Sequence, residues 1–303
     1  MSKENFTKEK FAKEKTVRKT SARIGSASKE SANNTPSHSV KRFFLVGYPI
    51  AHSLSPSIYN AFFKEHKISA EYALYKVREA EFEQKVRALF STENIYGFNV
   101  TQPYKKRIIE FLDGLSGDAA FLQSVNCVSR ENGKFVGHNT DRAGFEKTLY
   151  AFKARILGKD ALVLGAGGVA PAVVKGLLNA GVKRVFVYNR TFQRAVRLAE
   201  IFKNEENGSV QPILQEALFK TAKSSAIIVN ATTVGLKGEK SIIPERAISS
   251  RQILYDLIYN PEETDFLRIG KSRGATVVNG LSMLKAQAEE NLKIWGLKGE
   301  EDD

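Results

Sequence analysis

Three stretches carry the residue types that do chemistry. In the first, Tyr96-Gly97-Phe98-Asn99-Val100-Thr101-Gln102-Pro103-Tyr104-Lys105-Lys106, an apolar strand runs out into amides, a hydroxyl and ammonium groups. The second is Gln123-Ser124-Val125-Asn126, followed by a glycine-flanked strand and Asn139-Thr140-Asp141. From these segments one ammonium, one carboxylate and two amides would be a set sufficient for proton transfer to a ring bearing hydroxyls. The third is Asp160-Ala161-Leu162-Val163-Leu164-Gly165-Ala166-Gly167-Gly168-Val169-Ala170, where an apolar run enters glycines and opens directly into apolar residues at helical spacing. That pattern reads as strand, tight turn and helix. A Cβ at Gly165 or Gly167 would hold the backbone away from a pyrophosphate, whose negative charge the free N–H groups of the following helix would face. A small residue, Ala170, stands where a third glycine usually stands.

The strand after this turn, Lys183 to Tyr188, ends in Asn189-Arg190-Thr191 and points to the cofactor. Sites that prefer NAD usually place an acid here to bond the ribose 2′-hydroxyl, whereas an arginine accommodates a 2′-phosphate. Asn189 lies 24 residues past Gly165, close to the spacing of about 20 at which the acid is found. The acid is missing, and Arg190 and Arg194 offer two guanidiniums. Read alone, they are also two exposed arginines at a helix start; read with the glycine turn, they predict NADP.

The remaining elements must position these groups. Arg42 to Val46 is a short apolar strand running into Gly47-Tyr48-Pro49-Ile50-Ala51-His52-Ser53-Leu54-Ser55-Pro56. Pro56 suits the first turn of a helix and Ser55 the capping position before it, so hydroxyls and free N–H groups converge on a plausible carboxylate seat. Taken alone, Ser53 and Ser55 read as a loop turn and a helix cap. A strand is expected over Glu71–Val77, a helix over Glu79–Leu89, and a helix beginning at Pro103 and running through Leu112. Downstream, Ala226-Ile227-Ile228-Val229-Asn230, Ile253 to Tyr259 and Ala275 to Gly280 are buried strands ending in small or polar residues. Their alternation with helices is the doubly wound α/β signature, with ligands gathered at the strands' C-terminal ends. In the last helix, Leu284, Ala288, Leu292 and Trp295 form one stripe. Gln287 falls at its edge, facing either a cleft or solvent.

Composition sets the outer limits. The 303 residues, 42% hydrophobic and 26% charged, suffice for a sizeable core and two domains. No apolar run approaches the roughly 18 residues of a membrane span, and no secretory signal is expected. A single cysteine, Cys127, precludes an internal disulfide and fits a reducing, cytoplasmic setting; it reads as a small buried apolar side chain, and no metal site is expected. The net charge is +13; residues 1–40 hold nine Lys/Arg and four Glu, and the remaining 37 basic and 29 acidic residues leave +8 on the body. That balance suits anionic small molecules. Nucleic-acid binding is disfavoured for want of an aromatic or Arg-rich pattern. Residues 1–41 read as a disordered basic extension too poor in large apolar residues to fold alone, and the three Glu among the first fourteen argue against a transit peptide. Deleting residues 1–40 is expected to leave turnover and melting temperature essentially unchanged; a loss of folding or a tenfold drop in turnover on truncation would show that the segment packs on the body or closes its site.

The motifs Gly47-x-Pro-Ile-x-His-Ser-x-Ser-Pro56, Asn99-Val-Thr-x-Pro-x-Lys105, Asn139-Thr-Asp141, Gly165-Ala-Gly-Gly168, Asn189-Arg-Thr191, Asn230-Ala-Thr232 and Gly280-Leu-x-Met-Leu-x-x-Gln287 occur in this order. Together they closely resemble shikimate dehydrogenase. The resemblance covers residues 43–297 and implies a substrate-binding catalytic domain over 42–141, completed by 280–303, with a Rossmann NADP domain over 142–279. It implies NADPH-dependent reduction of 3-dehydroshikimate to shikimate, a step in chorismate and aromatic amino acid biosynthesis, by a monomer or homodimer. By motif position, Ser53 and Ser55 would hold the substrate carboxylate with Tyr259 nearby, and Asn126, Thr101, Asp141 and Gln287 the ring hydroxyls. Lys105 and Asp141 would be the catalytic pair, and Lys106, one helical step away, would point to the surface. Gly165, Ala166, Gly167, Gly168, Asn189, Arg190, Thr191, Arg194, Asn230 and Gly280 would line the cofactor. Two departures, Tyr59 in place of a common His and Thr233 in place of a common Ser, leave that chemistry untouched. A quinate/shikimate dehydrogenase with relaxed cofactor use is the alternative within the fold, and Arg190 counts against it. A non-enzymatic regulator on the same body is the alternative outside it, and the intact Lys105 and Asp141 count against that.

Overall fold

A computed structural model describes residues 40–299, and the extension expected over residues 1–41 lies almost wholly outside them. The chain begins with β1 (Lys41–Gly47), α1 (Ser55–Glu65), β2 (Ala70–Lys76), α2 (Phe82–Phe90) and β3 (Ile95–Val100). It continues through β4 (Gly114–Leu115), α3 (Gly117–Leu122), β5 (Cys127–Glu131) and β6 (Lys134–His138). These strands form one sheet in the order β2-β1-β3-β5-β6-β4. The pairs of β1 with β2 and β3 are parallel, and those of β5 with β3 and β6 antiparallel.

After α4 (Asp141–Leu149) and a short α5 (Lys153–Ile156), the chain alternates as expected. The elements are β7 (Asp160–Leu164), α6 (Ala170–Asn179), β8 (Arg184–Tyr188), α7 (Phe192–Ile201), β9 (Ser209–Ile213), α8 (Gln215–Ser224) and β10 (Ile227–Asn230). They end with β11 (Ile253–Asp256), α9 (Asp265–Ser272), β12 (Thr276–Val278) and α10 (Leu281–Ile294). All six strands pair in parallel, in the order β12-β11-β10-β7-β8-β9. Counted from β7, this is the 3-2-1-4-5-6 order of a dinucleotide fold, whose direction reverses between β7 and β10. Those strands are buried along nearly their whole length, as a parallel sheet covered on both faces requires.

The last helix returns to the first sheet. Leu292 and Ala288 pack with Phe43, Tyr59, Phe63 and Tyr72, and Trp295 closes that cluster. Gly144 lets α10 come close to α4, since a Cβ there would stand 2.9 Å from the Gln287 backbone nitrogen.

Two local expectations are corrected. Pro103 does not begin a helix. Residues 101–106 form turns and only a short 3₁₀ segment, Arg107–Phe111, follows. The Lys105 carbonyl, which a helix would need, instead accepts from Val125 N at 2.8 Å. Lys106 is accordingly exposed on a turn and not on the far face of a helix. Ser55 is the first residue of α1 and not its cap; Leu54 holds the capping position, and the Ser53 hydroxyl accepts from Ser55 N at 3.2 Å.

Candidate active site

Lys105 and Asp141 come from opposite sides of the first sheet's polar end. Lys105 is fixed through its carbonyl, as above. Asp141 opens α4, its backbone N–H donating to Asn139 Oδ1 at 3.1 Å, while Asn139 Nδ2 donates to Ser124 O at 2.8 Å. The side chains meet with Lys105 Nζ 2.6 Å from Asp141 Oδ2, at 15% and 3% exposure. A buried pair at this distance is held mainly because separating it would leave an uncompensated charge. Lysine has three N–H donors, and beyond Asp141 the other two have no partner among the described residues.

Asn126 is the hub beside this pair. Its amide nitrogen lies 2.9 Å from Asp141 Oδ1, 3.0 Å from Thr140 Oγ1 and 3.3 Å from Gln287 Oε1. An amide carries only two N–H donors, so three acceptors compete and Gln287, the most distant, is the least committed. The hub is anchored from behind: Thr140 N donates to Asn126 Oδ1, and Thr140 Oγ1 donates to Asn291 Oδ1, whose amide reaches Tyr59 OH at 2.7 Å. Asn291 carried no expectation. Its signal was a polar residue seven positions past Leu284 on the apolar stripe of α10.

Two further sets of bonds lie at this end of the sheet. Ser53 Oγ donates to Ser55 Oγ at 3.1 Å. Tyr72 OH donates to Asn99 Oδ1 at 2.8 Å, and Asn99 Nδ2 to the Asn126 carbonyl at 3.0 Å. Burial holds the Tyr72 hydroxyl protonated well beyond the usual phenol range, an effect to which Tyr59, Cys127 and Tyr259 add. Tyr72, Asn99, Asn126, Asp141, Lys105 and Gln287 therefore belong to one hydrogen-bonded network, and Ser53 and Ser55 form a separate pair. Thr101, half-buried, joins β3 to β1 through its N–H to Val46 O, and Tyr259 is half-buried on the loop after β11. Cys127 is fully buried and burial pushes its thiol well up, so it is no nucleophile.

The glycine turn follows β7 at the reversal point of the second sheet. Gly165 has φ +105°, and a Cβ there would meet Thr232 Cγ2 at 2.8 Å and the Ala231 carbonyl at 2.9 Å. A Cβ on Gly167 meets nothing within 4 Å. The open face at Gly167 is the cradle a pyrophosphate needs. Asn189 braces the turn by accepting from Ala166 N at 3.1 Å and donating to the Thr191 carbonyl at 2.9 Å. Arg190 and Arg194 are exposed beside it, with no ion-pair partner among the described residues. Glycine turn, amide brace and paired cations fit a dinucleotide carrying a 2′-phosphate. Gly165→Ala is expected to lower the melting temperature by several degrees through forced backbone strain of about 1–3 kcal/mol. Gly167→Ala should leave it unchanged and weaken NADPH binding at least about tenfold; equal melting temperatures for the two variants would contradict the cradle.

Two motif residues have inward roles. The Asn230 side chain is buried and spent within its loop, donating to Val234 O and Asp256 Oδ1 and accepting from Thr232 N and Oγ1. Gly280 packs so closely that a Cβ would overlap the Leu257 carbonyl, which explains the glycine without a ligand. Asp256, unassigned from sequence, is wholly buried and accepts from Asn230, Ile258 N and Thr264, joining the ends of β10 and β11 to α9. Burial raises its pKa, against those three bonds.

The two groups of residues meet at Gly168. A Cβ built there would lie 3.8 Å from Lys105 Cβ and Cδ, so the glycine turn abuts the lysine.

Comparison with known proteins gives these parts a family. Residues 45–128 match the family model "Shikimate dehydrogenase substrate binding domain" and residues 149–252 match "Shikimate / quinate 5-dehydrogenase". The NADP(+) shikimate dehydrogenase of Pelagibacter ubique is 37% identical over 256 residues, 84% of this chain and 93% of that protein. Shikimate 5-dehydrogenase from Listeria monocytogenes, solved with shikimate and NAD, aligns with TM-score 0.76 at 30% identity over 86% of this chain and 92% of that one. The Thermus thermophilus enzyme, solved with NADP(H) and shikimate, aligns with TM-score 0.74 at 34% identity over 84% and 93%.

Proposed function

The chain belongs to the shikimate dehydrogenase family, and from that membership we propose that it reduces 3-dehydroshikimate to shikimate with NADPH, by way of Lys105 and Asp141. The observation that carries the mechanistic part is the buried 2.6 Å pair lying against Gly168 of the dinucleotide turn. Residues 42–141 with 280–303 form the substrate lobe of this reading and residues 142–279 the cofactor lobe.

NADPH, when bound, supplies the hydride to the ring ketone. The protein's share is to meet the negative charge that grows on the ketone oxygen. The Lys105 ammonium does this and delivers the proton, help worth roughly 10²–10⁴-fold in rate. Asp141 takes one ammonium hydrogen and so orients the others, while Asn126 holds the second carboxylate oxygen. Gln287 and Thr101 complete the set for ring hydroxyls. Ser53, Ser55 and Tyr259 form the carboxylate seat, where hydroxyl donors and the first N–H groups of α1 stand together. Gly165 to Gly168 take the pyrophosphate, braced by Asn189 and Thr191, and Arg190 with Arg194 the 2′-phosphate. Asn230 and Gly280 act by shaping the cofactor side of the cleft. A reducing cytoplasm is the setting assigned, and a monomer or homodimer the assembly.

The test is direct. Adding 3-dehydroshikimate to purified protein with NADPH should consume reduced cofactor and yield one equivalent of shikimate; absence of consumption sinks the reading.

A further inference from the structure

Ser124 stands at the junction of the two halves of the site. Its side chain is fully buried, and Oγ donates to the Gly168 carbonyl at 3.0 Å, a bond from the first sheet's half of the protein to the glycine turn of the second. Its own carbonyl accepts from Asn139 Nδ2, and Asn139 in turn receives the Asp141 N–H. The next residue, Val125, donates its N–H to the Lys105 carbonyl. One short segment is thus bonded to the Lys105 and Gly168 backbones and, through the Asn139 side chain, to the Asp141 N–H.

We infer that Ser124 is a positioning residue that sets the register of the cofactor turn against the Lys105–Asp141 pair. The inference rests on the reading of the turn as the NADP site. A peptide unit is rigid and planar, so holding the Gly168 carbonyl fixes the Gly168–Val169 plane at the start of α6. The bond does not hold the two halves together. Nearby, Phe121 packs edge-on against Phe202 at 5.8 Å with Lys175 over its ring, and that contact needs no serine. Gly168 is only half-buried, so water can serve its carbonyl when the hydroxyl is lost. Removing the hydroxyl therefore costs register more than stability.

Ser124→Ala in the full-length protein tests this, with Ser129→Ala as control: Ser129, five residues on within β5, is also buried but bonds Glu131 and His138, away from the turn. The readouts are the NADPH dissociation constant by nicotinamide fluorescence, the KM for each substrate, and the primary deuterium isotope effect on kcat. Ser124→Ala should weaken NADPH binding about two- to tenfold, the size of one hydrogen bond. It should also lower kcat, raise the isotope effect and leave the KM for shikimate within about twofold. Ser129→Ala should move none of these. Wild-type NADPH affinity and isotope effect in Ser124→Ala overturn the inference, as does a loss that tracks melting temperature alike in both variants. The fluorescence titration needs no substrate, so an enzyme inactive on shikimate would refute the proposed reaction while the role of Ser124 at the cofactor turn would still stand or fall on the titration.

Discussion

Lys105→Ala is expected to lower kcat at least about 10²-fold while the NADPH dissociation constant stays within about twofold. The ammonium is the cationic donor closest to Asp141, and the described residues place no second cation on that carboxylate to replace it. Truncation also strips the buried Asp141 of its ionic partner, so the melting temperature should fall, with Asn126 still donating to the other carboxylate oxygen. Cofactor affinity separates the two effects, because the lysine touches the glycine turn only through its aliphatic stem. Lys106→Ala is the control and should be nearly silent, since Lys106 is exposed on a turn. A crippled Lys106→Ala beside an active Lys105→Ala would reverse the assignment.

Arg190→Ala is expected to collapse the preference for NADP over NAD by about tenfold to several-hundredfold. A 2′-phosphate brings nearly two negative charges; in the proposed site Arg190 would meet it with a planar fork of donors and Arg194 would add charge from the first turn of α7. Charge-assisted hydrogen bonds contribute roughly 1.5–3 kcal/mol each, and one or two account for that range. The loss should appear in the KM for NADPH and hardly in that for NADH. In the unmodified enzyme, added salt should weaken NADPH binding more than NADH binding, because only the former uses the extra ion pairs. An Arg190→Ala variant that keeps its full preference would remove Arg190 from the cofactor site.

The architecture was legible where local signals and tertiary demands agree. Buried runs such as Ala161–Leu164 and Ile227–Asn230, spaced by helices, admit little besides a parallel sheet, and the strand order reverses at the glycine turn. Around Pro103 the local rule for a helix start lost to a distant bond, Val125 N to Lys105 O, which no periodicity displays. The register at Ser55 slipped by one because the Ser53 hydroxyl, not a cap at position 55, meets the chain there. Motif matching drew attention to Asn230 and Gly280 without revealing that both face inward. Ser124 and Asn291 went unassigned for a shared reason, since each is a buried polar residue whose partners lie far away in sequence, and Asp256 combines one such partner, Asn230, with two nearby ones, Ile258 and Thr264. Only Asn291 left a trace, as an amide on an apolar stripe.

Shikimate or quinate, each oxidised with NADP or NAD by the unmodified enzyme, gives four reactions whose specificities separate the two dehydrogenase activities. Assignment as an NADP-dependent shikimate dehydrogenase requires that kcat/KM be highest for shikimate with NADP and fall about tenfold or more when NAD replaces NADP. Quinate, with its additional ring hydroxyl, should be the poorer substrate with either cofactor. Equal use of NADP and NAD, or quinate oxidised as well as shikimate, would contradict it.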